Sequence, residues 1–378
     1  MKAYKYKMYS KAKGDLIDNQ IDRFGILYNH CVALYRRYYK LFKKNPSKFA
    51  VMTHLAKIKH RERWEGIFKG LDAQAVQQLV DRIDKSYRQF FRKIKNHEKA
   101  SPPKFKKVKK YQSYTLKQCG YKFDGNKVRL NGVWYGFFKS REWKGKVKTV
   151  TVKRDRCGDI FIVVITDWND AERLPQSGKS VGYDFGMKTF LVSSDGKDVS
   201  APLFLMSAKG ENKRLSRRIS HKVKGSNNRR KAVIGKARFM RRLANRRDDF
   251  QWKLANRLVR EYDVMCFEDL NLRGISKMFG KKVGEYGFGM FLQKLQYLAH
   301  KHGKEVRFVD RFFPSSQLCH ECGYRNKTLK DLKIREWTCP KCGAHHDRDR
   351  NAAINILREG TSSLGRGSVR PRSERSVA

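Results

Sequence analysis

Four cysteines near the end of the chain constrain its fold more than any other local feature. Cys319 and Cys322 form one C-x2-C pair, and Cys339 and Cys342 form a second pair after a sixteen-residue gap. Thiolates three residues apart on a tight turn can bind one ion together, and this spacing is typical of a zinc site. Because four cysteine ligands leave no open coordination position, the predicted Zn²⁺ ion is structural. A pair of disulfides is the alternative, which a reducing compartment disfavours.

The residues around these cysteines complete the predicted zinc element. Gly323 and Gly343 each follow a C-x2-C pair and are expected to form its turn. Three histidines lie close by and are interpreted as solvent or phosphate contacts rather than as zinc ligands: His320, His345 and His346.

The charge of the chain indicates the class of its partner. Lysine and arginine number 86 against 36 acidic residues, which gives a formal charge of +50 spread along most of the 378 residues. Such an excess predicts a polyanion held by many phosphate contacts, with an affinity that falls steeply with salt. A ribosomal or histone-like protein would carry the same excess, so charge alone indicates no activity. No apolar run approaches the roughly 18 residues of a membrane span, and we expect no membrane partner and a cytoplasmic location.

The first hundred residues predict helices. Apolar and aromatic residues recur at helical spacing over residues 15–45 and again over residues 71–95. Both stripes are interpreted as the core of a helix bundle. The polar face of the second segment carries Gln74 and Gln78, which are candidate nucleic-acid contacts. Pro102 and Pro103 end this helical region.

A basic connector and a run of short strands follow. The connector holds the candidate phosphate-binding lysines Lys104, Lys106 and Lys107. From residue 113 to 166 the pattern changes to short β-like runs separated by Asp-Gly and Asn-Gly turns. These runs predict a small antiparallel barrel or sheet.

Short strands then alternate with helices from about residue 178, which predicts an α/β layer with a mixed sheet. Helices are expected at 251–262 and 290–302. A densely basic segment between the strands, residues 209–247, predicts a helical hairpin broken near Gly225 that lies along a phosphate backbone; a solvated helix pair is the alternative. The candidate contacts in this segment are Arg229, Arg230, Arg241 and Arg242.

Three acids lie where separate elements of this region begin or end. Asp184 follows the apolar run in "VGYDFG", Glu268 closes the run in "VMCFE", and Asp349 opens the predicted helix of "RNAAINIL". Taken singly, each is explained by a turn, a cap or the helix dipole. Taken together, carboxylates delivered by two strands and a helix could hold two Mg²⁺ ions for phosphodiester hydrolysis, as in an RNase H-like fold.

The motifs occur in the order expected of the TnpB family, which the chain resembles over nearly its whole length. They are "SPPKFKKVKKYQS", "GYDFGMKTF", "CFEDLNLRGI", "FFPSSQLCHECGYRN" and "WTCPKCGAHHDRDRNAAINI". TnpB proteins are transposon-encoded RNA-guided DNA endonucleases related to compact type V CRISPR effectors. The resemblance implies a RuvC-like nuclease with Asp184, Glu268 and Asp349 as its metal-binding acids. Asp347, two residues earlier, is then expected to serve as a turn or cap at the end of the zinc element.

The implied architecture is a multidomain α+β protein. It comprises a wedge β-barrel (residues 1–14 and 104–172), a helical recognition domain inserted into it (15–103), a RuvC nuclease (178–318, with its last helix at 344–360), a zinc-binding element (319–343) and a disordered tail (361–378).

The implied activity is RNA-guided cutting of double-stranded DNA. A guide RNA from the protein's own locus would pair with the target, next to a short adjacent motif, and a single RuvC site with two Mg²⁺ ions would cut both strands. The protein is expected to act as a monomer with one RNA. A guide-independent RNase H-like transposase or resolvase would explain the acids but not the basic lobe ahead of them. A non-catalytic zinc-ribbon regulator would explain the charge and the cysteines but not the acids.

Overall fold

The structure is a computed structural model. It describes residues 1–9, 14–186, 189–200, 202–270, 280, 286–331 and 333–362. Residues 271–275 of the "CFEDLNLRGI" motif and residues 363–378 of the predicted tail lie outside this range. The chain divides into two compact units, Met1–Asp170 and Ala171–Ala378. In the described part of the chain, no helix combines the length and apolarity needed to cross a membrane.

The first unit combines antiparallel strands with a group of helices. In chain order its elements are β1 (Lys2–Lys7), α1 (Gly14–Phe42), α2 (Lys48–Lys59), α3 (Glu62–Phe68), α4 (Ala73–Lys95), β2 (Ser113–Lys117), β3 (Tyr121–Asp124), β4 (Lys127–Leu130), β5 (Val133–Gly136), β6 (Val147–Arg154) and β7 (Ile160–Thr166).

Two antiparallel sheets account for these strands, as the turn-separated runs predicted. One sheet has the order β1-β7-β6-β2 and the other β3-β4-β5. The β4–β5 hairpin turns at Asn131 and Gly132, which both have positive φ (48° and 83°), the geometry of a two-residue hairpin turn. Just beyond β1, the Tyr9 amide donates to the Gly136 carbonyl at 2.8 Å, which links the two sheets.

The helices of this unit cover the larger sheet and bury the predicted aromatic stripes. Tyr35 of α1 stacks on Tyr87 of α4 with ring centroids 4.5 Å apart, and Phe24 stacks on Tyr114 of β2 at 4.9 Å. In α1 the buried aromatic stripe ends before Tyr39, which is 44% exposed. The prediction of a helical core is therefore confirmed for most of both segments. Helices α2 and α3 lie between the two predicted helical segments, where the sequence analysis assigned no element.

The second unit is built on the predicted mixed sheet. Its elements are β8 (Ser180–Asp184), β9 (Thr189–Ser193), β10 (Val199–Ser200), α5 (Phe204–Ser207), α6 (Lys209–Ser220), α7 (Asn227–Glu261), β11 (Val264–Glu268), α8 (Phe288–His302), β12 (Glu305–Val309), β13 (Glu336–Thr338), β14 (His345–Asp347) and α9 (Arg348–Thr361). The sheet order is β10-β9-β8-β11-β12. Strands β8, β11 and β12 are parallel, whereas β9 is antiparallel to β8.

The second helix of the basic hairpin is longer than the sequence predicts. Gly225 has φ +88° and lies in the turn between α6 and α7, as predicted. However, the predicted separate helix at 251–262 is wrong, because α7 runs without a break from Asn227 to Glu261. No proline or glycine interrupts the chain between 247 and 251, and Asp249 pairs with Lys253 one turn later at 2.8 Å.

One carboxylate binds the chain segment that leads into β8. Asp263, just before β11, accepts hydrogen bonds from the amides of Ser177 and Gly178 at 2.8 and 2.6 Å and from Lys304 Nζ at 2.5 Å. Desolvation acts to raise the pKa of Asp263, but Lys304 and the two amides outweigh it and lower the pKa to about 2. The segment before β8 is therefore fixed to the sheet.

Candidate functional site

The four predicted zinc ligands converge in the second unit. Their ligand atoms all lie within 4.8 Å of one another. The Sγ atoms of Cys319 and Cys342 are 3.7 Å apart, and those of Cys322 and Cys339 are 3.6 Å apart. A tetrahedral Zn²⁺ with bonds of about 2.3 Å places its sulfurs about 3.8 Å from one another. The sulfur positions therefore fit a structural zinc ion.

Each C-x2-C pair is held by the same turn. The Gly323 amide donates to the Cys319 carbonyl, and the Gly343 amide donates to the Cys339 carbonyl, both at 2.9 Å. The two glycines have φ of +73° and +72°, a conformation that favours glycine. The prediction that these glycines form the turns is confirmed.

The interpretation of the nearby histidines is wrong for two of the three. His346 is 3% exposed, and its Nε2 atom lies 3.0 Å from Cys319 Sγ. On β14 its neighbour His345 faces solvent, and His346 therefore faces inward, opposite Trp337 of β13. His320 is occupied by Asn351 of α9 rather than by solvent, since its ring Nδ1 lies 2.9 Å from Asn351 Oδ1.

Two of the predicted metal-binding acids end adjacent parallel strands. Asp184 is the last residue of β8, and Glu268 is the last residue of β11. Phe267 pairs with Tyr183, so the two acids occupy the next positions along neighbouring strands. The carboxyl ends of parallel strands form one edge of a sheet, where α/β proteins commonly place functional groups.

The third acid is carried to the same region by α9. Asp349 lies in the first turn of this helix, which packs on β8 and β11. A Cβ on Gly182 of β8 would lie 2.2 Å from the Ala353 carbonyl oxygen, and a Cβ on Gly360 would lie 2.5 Å from Cys266 Sγ. Glycine at both crossings therefore lets the helix lie flush on the sheet.

The three acids influence one another electrostatically. Burial, followed by the negative charge of Asp349, raises the pKa of Asp184 to about 7. Burial, followed by the charges of Asp184 and Asp269, raises the pKa of Glu268 to about 7. Half-buried carboxylates that repel one another are stabilised by a divalent cation, and their oxygens are the ligands that Mg²⁺ prefers.

The acid cluster is more open than the sulfur cluster. Within the described residues, the cysteines form the one group of three or more potential ligand atoms that all lie within 4.8 Å of one another. An open arrangement of carboxylates suits Mg²⁺, which keeps several water ligands and is completed by substrate phosphates.

Two residues next to Asp349 take different roles. Asp347 caps α9, since its Oδ1 accepts from the Arg350 amide at 2.8 Å, which confirms the predicted cap. Arg335, which no sequence pattern indicated as a site residue, has its Nη1 atom 3.2 and 3.3 Å from the two carboxylate oxygens of Asp349. One arginine in so basic a chain carries no local signal of such a contact.

The candidate nucleic-acid contacts of the first unit differ in whether their side chains are already hydrogen-bonded within the protein. Gln74 Oε1 accepts from the Cys119 amide at 3.2 Å, and Gln78 donates to Asp81 at 3.3 Å. The connector is bound along its backbone to α1, where Asn29 exchanges two hydrogen bonds with Lys106. Lys104 and Lys107 are exposed, whereas the ammonium of Lys106 lies over the Tyr28 ring, 4.8 Å from its centroid.

The candidates on the basic hairpin also differ. Arg229 Nη1 donates to the carbonyls of Ile219 and Lys222 at 2.7 and 3.0 Å and thereby closes the turn between α6 and α7. Arg230 and Arg242 are exposed, whereas Arg241 is partly buried. Nucleic-acid binding by these residues stays a prediction, and Arg229 has an internal structural role in addition.

Two family models match the chain. Residues 150–278 match the family described as "Probable transposase" (OrfB_IS605). Residues 288–356, which span the cysteines and most of α9, match the model described as "Cas12f1-like, TNB domain".

The names of curated relatives are consistent with these two family models. The chain is 38% identical over 232 residues to a "Putative RNA-guided DNA endonuclease" of Streptomyces pristinaespiralis, covering 60% of this chain and 57% of that protein. It is 28% identical over 321 residues to "Putative RNA-guided DNA endonuclease InsQ" of Escherichia coli (strain K12), covering 80% and 78%. The chain spans about half the length of the first curated relatives that it matches.

The fold is similar to that of the protein in "Cryo-EM structure of the Cas12f1-sgRNA-target DNA complex". The TM-score is 0.58 at 15% identity, with 92% of this chain and 83% of that chain covered. This similarity concerns the fold and confirms the predicted multidomain α+β class. The two family models and the named relatives confirm the resemblance of this chain to the TnpB family.

Proposed function

We propose that this protein is an RNA-guided double-stranded DNA endonuclease of a transposable element. The observation that carries this proposal is the placement of Asp184 and Glu268 at adjacent strand ends, with Asp349 delivered by the helix that packs on the same strands. Relatives of the chain carry the name of this activity. A guide-independent transposase or resolvase leaves the basic lobe ahead of the acids unexplained, and a non-catalytic zinc-ribbon regulator leaves the acid cluster unexplained.

In this proposal the three acids would hold two Mg²⁺ ions, which when bound would supply an activated water and a counter-charge for the leaving oxygen. Asp184 and Glu268 present carboxylate oxygens from a rigid sheet edge, and Asp349 closes the site from the first turn of α9. Arg335 Nη1 pairs with the Asp349 carboxylate at 3.2 Å. The single site cuts both strands in turn.

The four cysteines hold one structural Zn²⁺ beside this site. The zinc element (319–343) then lies between the RuvC segments 178–318 and 344–360, and in the first unit the wedge segments 1–14 and 104–172 flank a helical recognition domain at 15–103. The domain assignments follow from the family resemblance and the zinc assignment follows from the cysteine spacing; all of them are part of the proposal.

The partners in this proposal are a guide RNA from the transposon end and target duplex DNA. Base pairing supplies the sequence specificity, so the protein needs mainly phosphate contacts to an A-form heteroduplex. The exposed Lys104, Lys107, Arg230 and Arg242 suit such contacts. Gln74 and Gln78 are assigned to reading of the target-adjacent motif. The protein acts as a monomer with one RNA in the prokaryotic cytoplasm.

The test is to purify the protein with RNase inhibitors after expression from its own locus, and to sequence the RNA that remains bound. A complex with a reprogrammed guide is then incubated with Mg²⁺ and a library in which random sequence flanks the target. Guided cutting requires a discrete RNA from the locus and cleavage of matched DNA next to one motif. Equal cutting of matched and scrambled targets would instead support a guide-independent transposase or resolvase. RNA binding without any cutting would support the non-catalytic regulator.

A further inference from the structure

Two asparagines on α9 bind the backbone of the loop that enters the cysteine cluster. Asn351 donates from Nδ2 to the Leu318 carbonyl at 2.7 Å and accepts at Oδ1 from the His320 amide at 3.0 Å. These two peptide groups lie on either side of Cys319. One turn further, Asn355 donates to the carbonyls of Leu318 and Ser315 at 2.7 and 2.8 Å.

The environment of Asn351 makes these bonds strong constraints. Asn351 is 1% exposed, so water does not compete for its amide. A single side-chain amide that pairs with both peptide groups around Cys319 fixes the direction of that backbone as well as its distance. Loss of either bond would leave a buried polar group without its partner.

The same helix carries Asp349, two residues before Asn351. Neighbouring residues in one helical turn move together, because the backbone hydrogen bonds of the helix fix their geometry. On its other side α9 lies so close to the sheet that a Cβ on Gly182 of β8 would come within 2.2 Å of the Ala353 carbonyl oxygen. The first turn of α9 is therefore held between the sheet and the backbone of Cys319.

We propose that Asn351 is a positioning residue that couples the cysteine-bound zinc to the acid cluster, so that zinc occupancy sets the affinity of the cluster for catalytic divalent metal. This inference rests on the proposed function, because it requires Asp349 to be a metal ligand. Zinc fixes Cys319, Cys319 fixes Leu318 and His320, and Asn351 transmits that position to the first turn of α9. Zinc thereby acts on the nuclease site without contacting it.

Coupling between two binding sites is reciprocal, which provides a readout that does not involve DNA cleavage. Mn²⁺ is used as the probe of the acid cluster, and its binding is followed by electron paramagnetic resonance on the full chain. Zinc is removed with a zinc-selective chelator that is then desalted away. Four samples form a cycle: wild type and Asn351→Ala, each with zinc present and zinc removed.

The expected results are specific. Removal of zinc weakens Mn²⁺ binding about tenfold in the wild type, a typical size for coupling between sites. Asn351→Ala weakens Mn²⁺ binding by a similar factor with zinc present, and removal of zinc then adds little. In the reverse direction, saturating Mn²⁺ slows the release of zinc to a chromogenic chelator in the wild type but not in Asn351→Ala.

Two further variants keep the test decisive. Asn351→Asp keeps the acceptor for the His320 amide but loses the donor to Leu318, so it should show a partial loss of coupling even if the alanine variant folds poorly. Asn256→Ala is the matched control, because within the described residues the Asn256 side chain donates to the Trp252 carbonyl of its own helix, at 2.8 Å, and not to another element. This control should leave the cycle unchanged.

The coupling is refuted if zinc removal and Asn351→Ala weaken Mn²⁺ binding additively, or if Asn351→Ala loses its zinc while Mn²⁺ affinity is unchanged. Asp184→Ala separates these outcomes from a failure of the proposed function. If Asp184→Ala does not weaken Mn²⁺ binding, the acids are not the metal site and the proposed function itself is wrong. If Asp184→Ala abolishes binding while the cycle is additive, only the coupling is wrong.

Discussion

Asp184→Asn should stabilise the protein when no divalent metal is bound. In the metal-free protein, burial and then the charge of Asp349 raise the pKa of Asp184 from an ordinary 3.8 to about 7. Because a tenfold change in proton affinity corresponds to about 1.4 kcal/mol, the ionised carboxylate lowers the stability by on the order of 2 to 4 kcal/mol above pH 7. A neutral amide of the same shape removes this penalty.

The sign of the pH dependence follows from the direction of the pKa shift. A carboxyl whose pKa is raised on folding favours the native state below the pKa of the unfolded chain, near 4, and this contribution is lost as the pH rises to about 7. The advantage of the variant should therefore be small at pH 4 and largest at pH 8. One kcal/mol shifts Tm by about 2 to 4 °C for a domain of this size, so a gain of 2 to 4 kcal/mol at pH 8 should raise Tm by roughly 4 to 16 °C.

The assay is thermal unfolding followed by circular dichroism at pH 4, 6 and 8, in Mg²⁺-free buffer without a chelator that would also remove zinc. Asp263→Asn is the matched control on the same sheet, because the pKa of Asp263 is lowered to about 2 and its contribution has the opposite sign. This control should be destabilised at pH 8. The reasoning about Asp184 is refuted if Asp184→Asn melts below wild type at pH 8, or if its gain is the same at pH 4 and pH 8.

Three further predictions concern the elements around the acids. Gly182→Ala should push α9 away from β8, because the new Cβ would meet the Ala353 carbonyl at 2.2 Å, and we expect a lowered Tm and at least a tenfold loss of DNA cutting. Unchanged cutting would show that the close approach of α9 to β8 is not needed. Cys339→Ser should lose zinc and melt at a lower temperature, measured by metal analysis and circular dichroism, whereas Cys119→Ser, an exposed cysteine outside the cluster, should change neither. Arg335→Ala removes a partly exposed competitor for the Asp349 carboxylate, so Mn²⁺ should bind a few-fold more tightly; weaker binding would mean that Arg335 instead supports the site.

Features that depend on neighbours in sequence were predictable. The cysteine spacing and the two following glycines define a zinc element locally, and short apolar runs ending in Asp184 and Glu268 define strands with an acid at the carboxyl end. The Asn131–Gly132 turn likewise specifies its hairpin from two residues.

Features that depend on tertiary contacts were not predictable in the same way. Gly182 is needed only because α9 lies against it, and a strand glycine alone does not indicate which element approaches. The contact between Arg335 and Asp349 forms only when β13 and β14 fold into a hairpin. The direction of His346 depends on the same hairpin, since its position opposite Trp337 turns it toward Cys319.

The continuous helix α7 shows a different limit. The adjacent acids Asp248 and Asp249 lie just after the predicted end of the basic hairpin at residue 247, and each has a basic partner. Asp249 pairs with Lys253 in the next turn, and Asp248 pairs with Lys294 of α8 at 2.6 Å. The second contact crosses between helices and leaves no signal in the local sequence.

The central claim is that Asp184, Glu268 and Asp349 form the metal site of an RNA-guided nuclease. Its most direct test measures guided DNA binding and Mg²⁺-dependent cutting side by side for the wild type and for Asp184→Ala, Glu268→Gln and Asp349→Asn, each loaded with the same guide RNA. We predict that all three variants bind the matched target as tightly as the wild type and cut neither strand. Cutting that survives any of these substitutions at the wild-type rate would contradict the assignment of that residue, and cutting that survives all three would place the active site elsewhere.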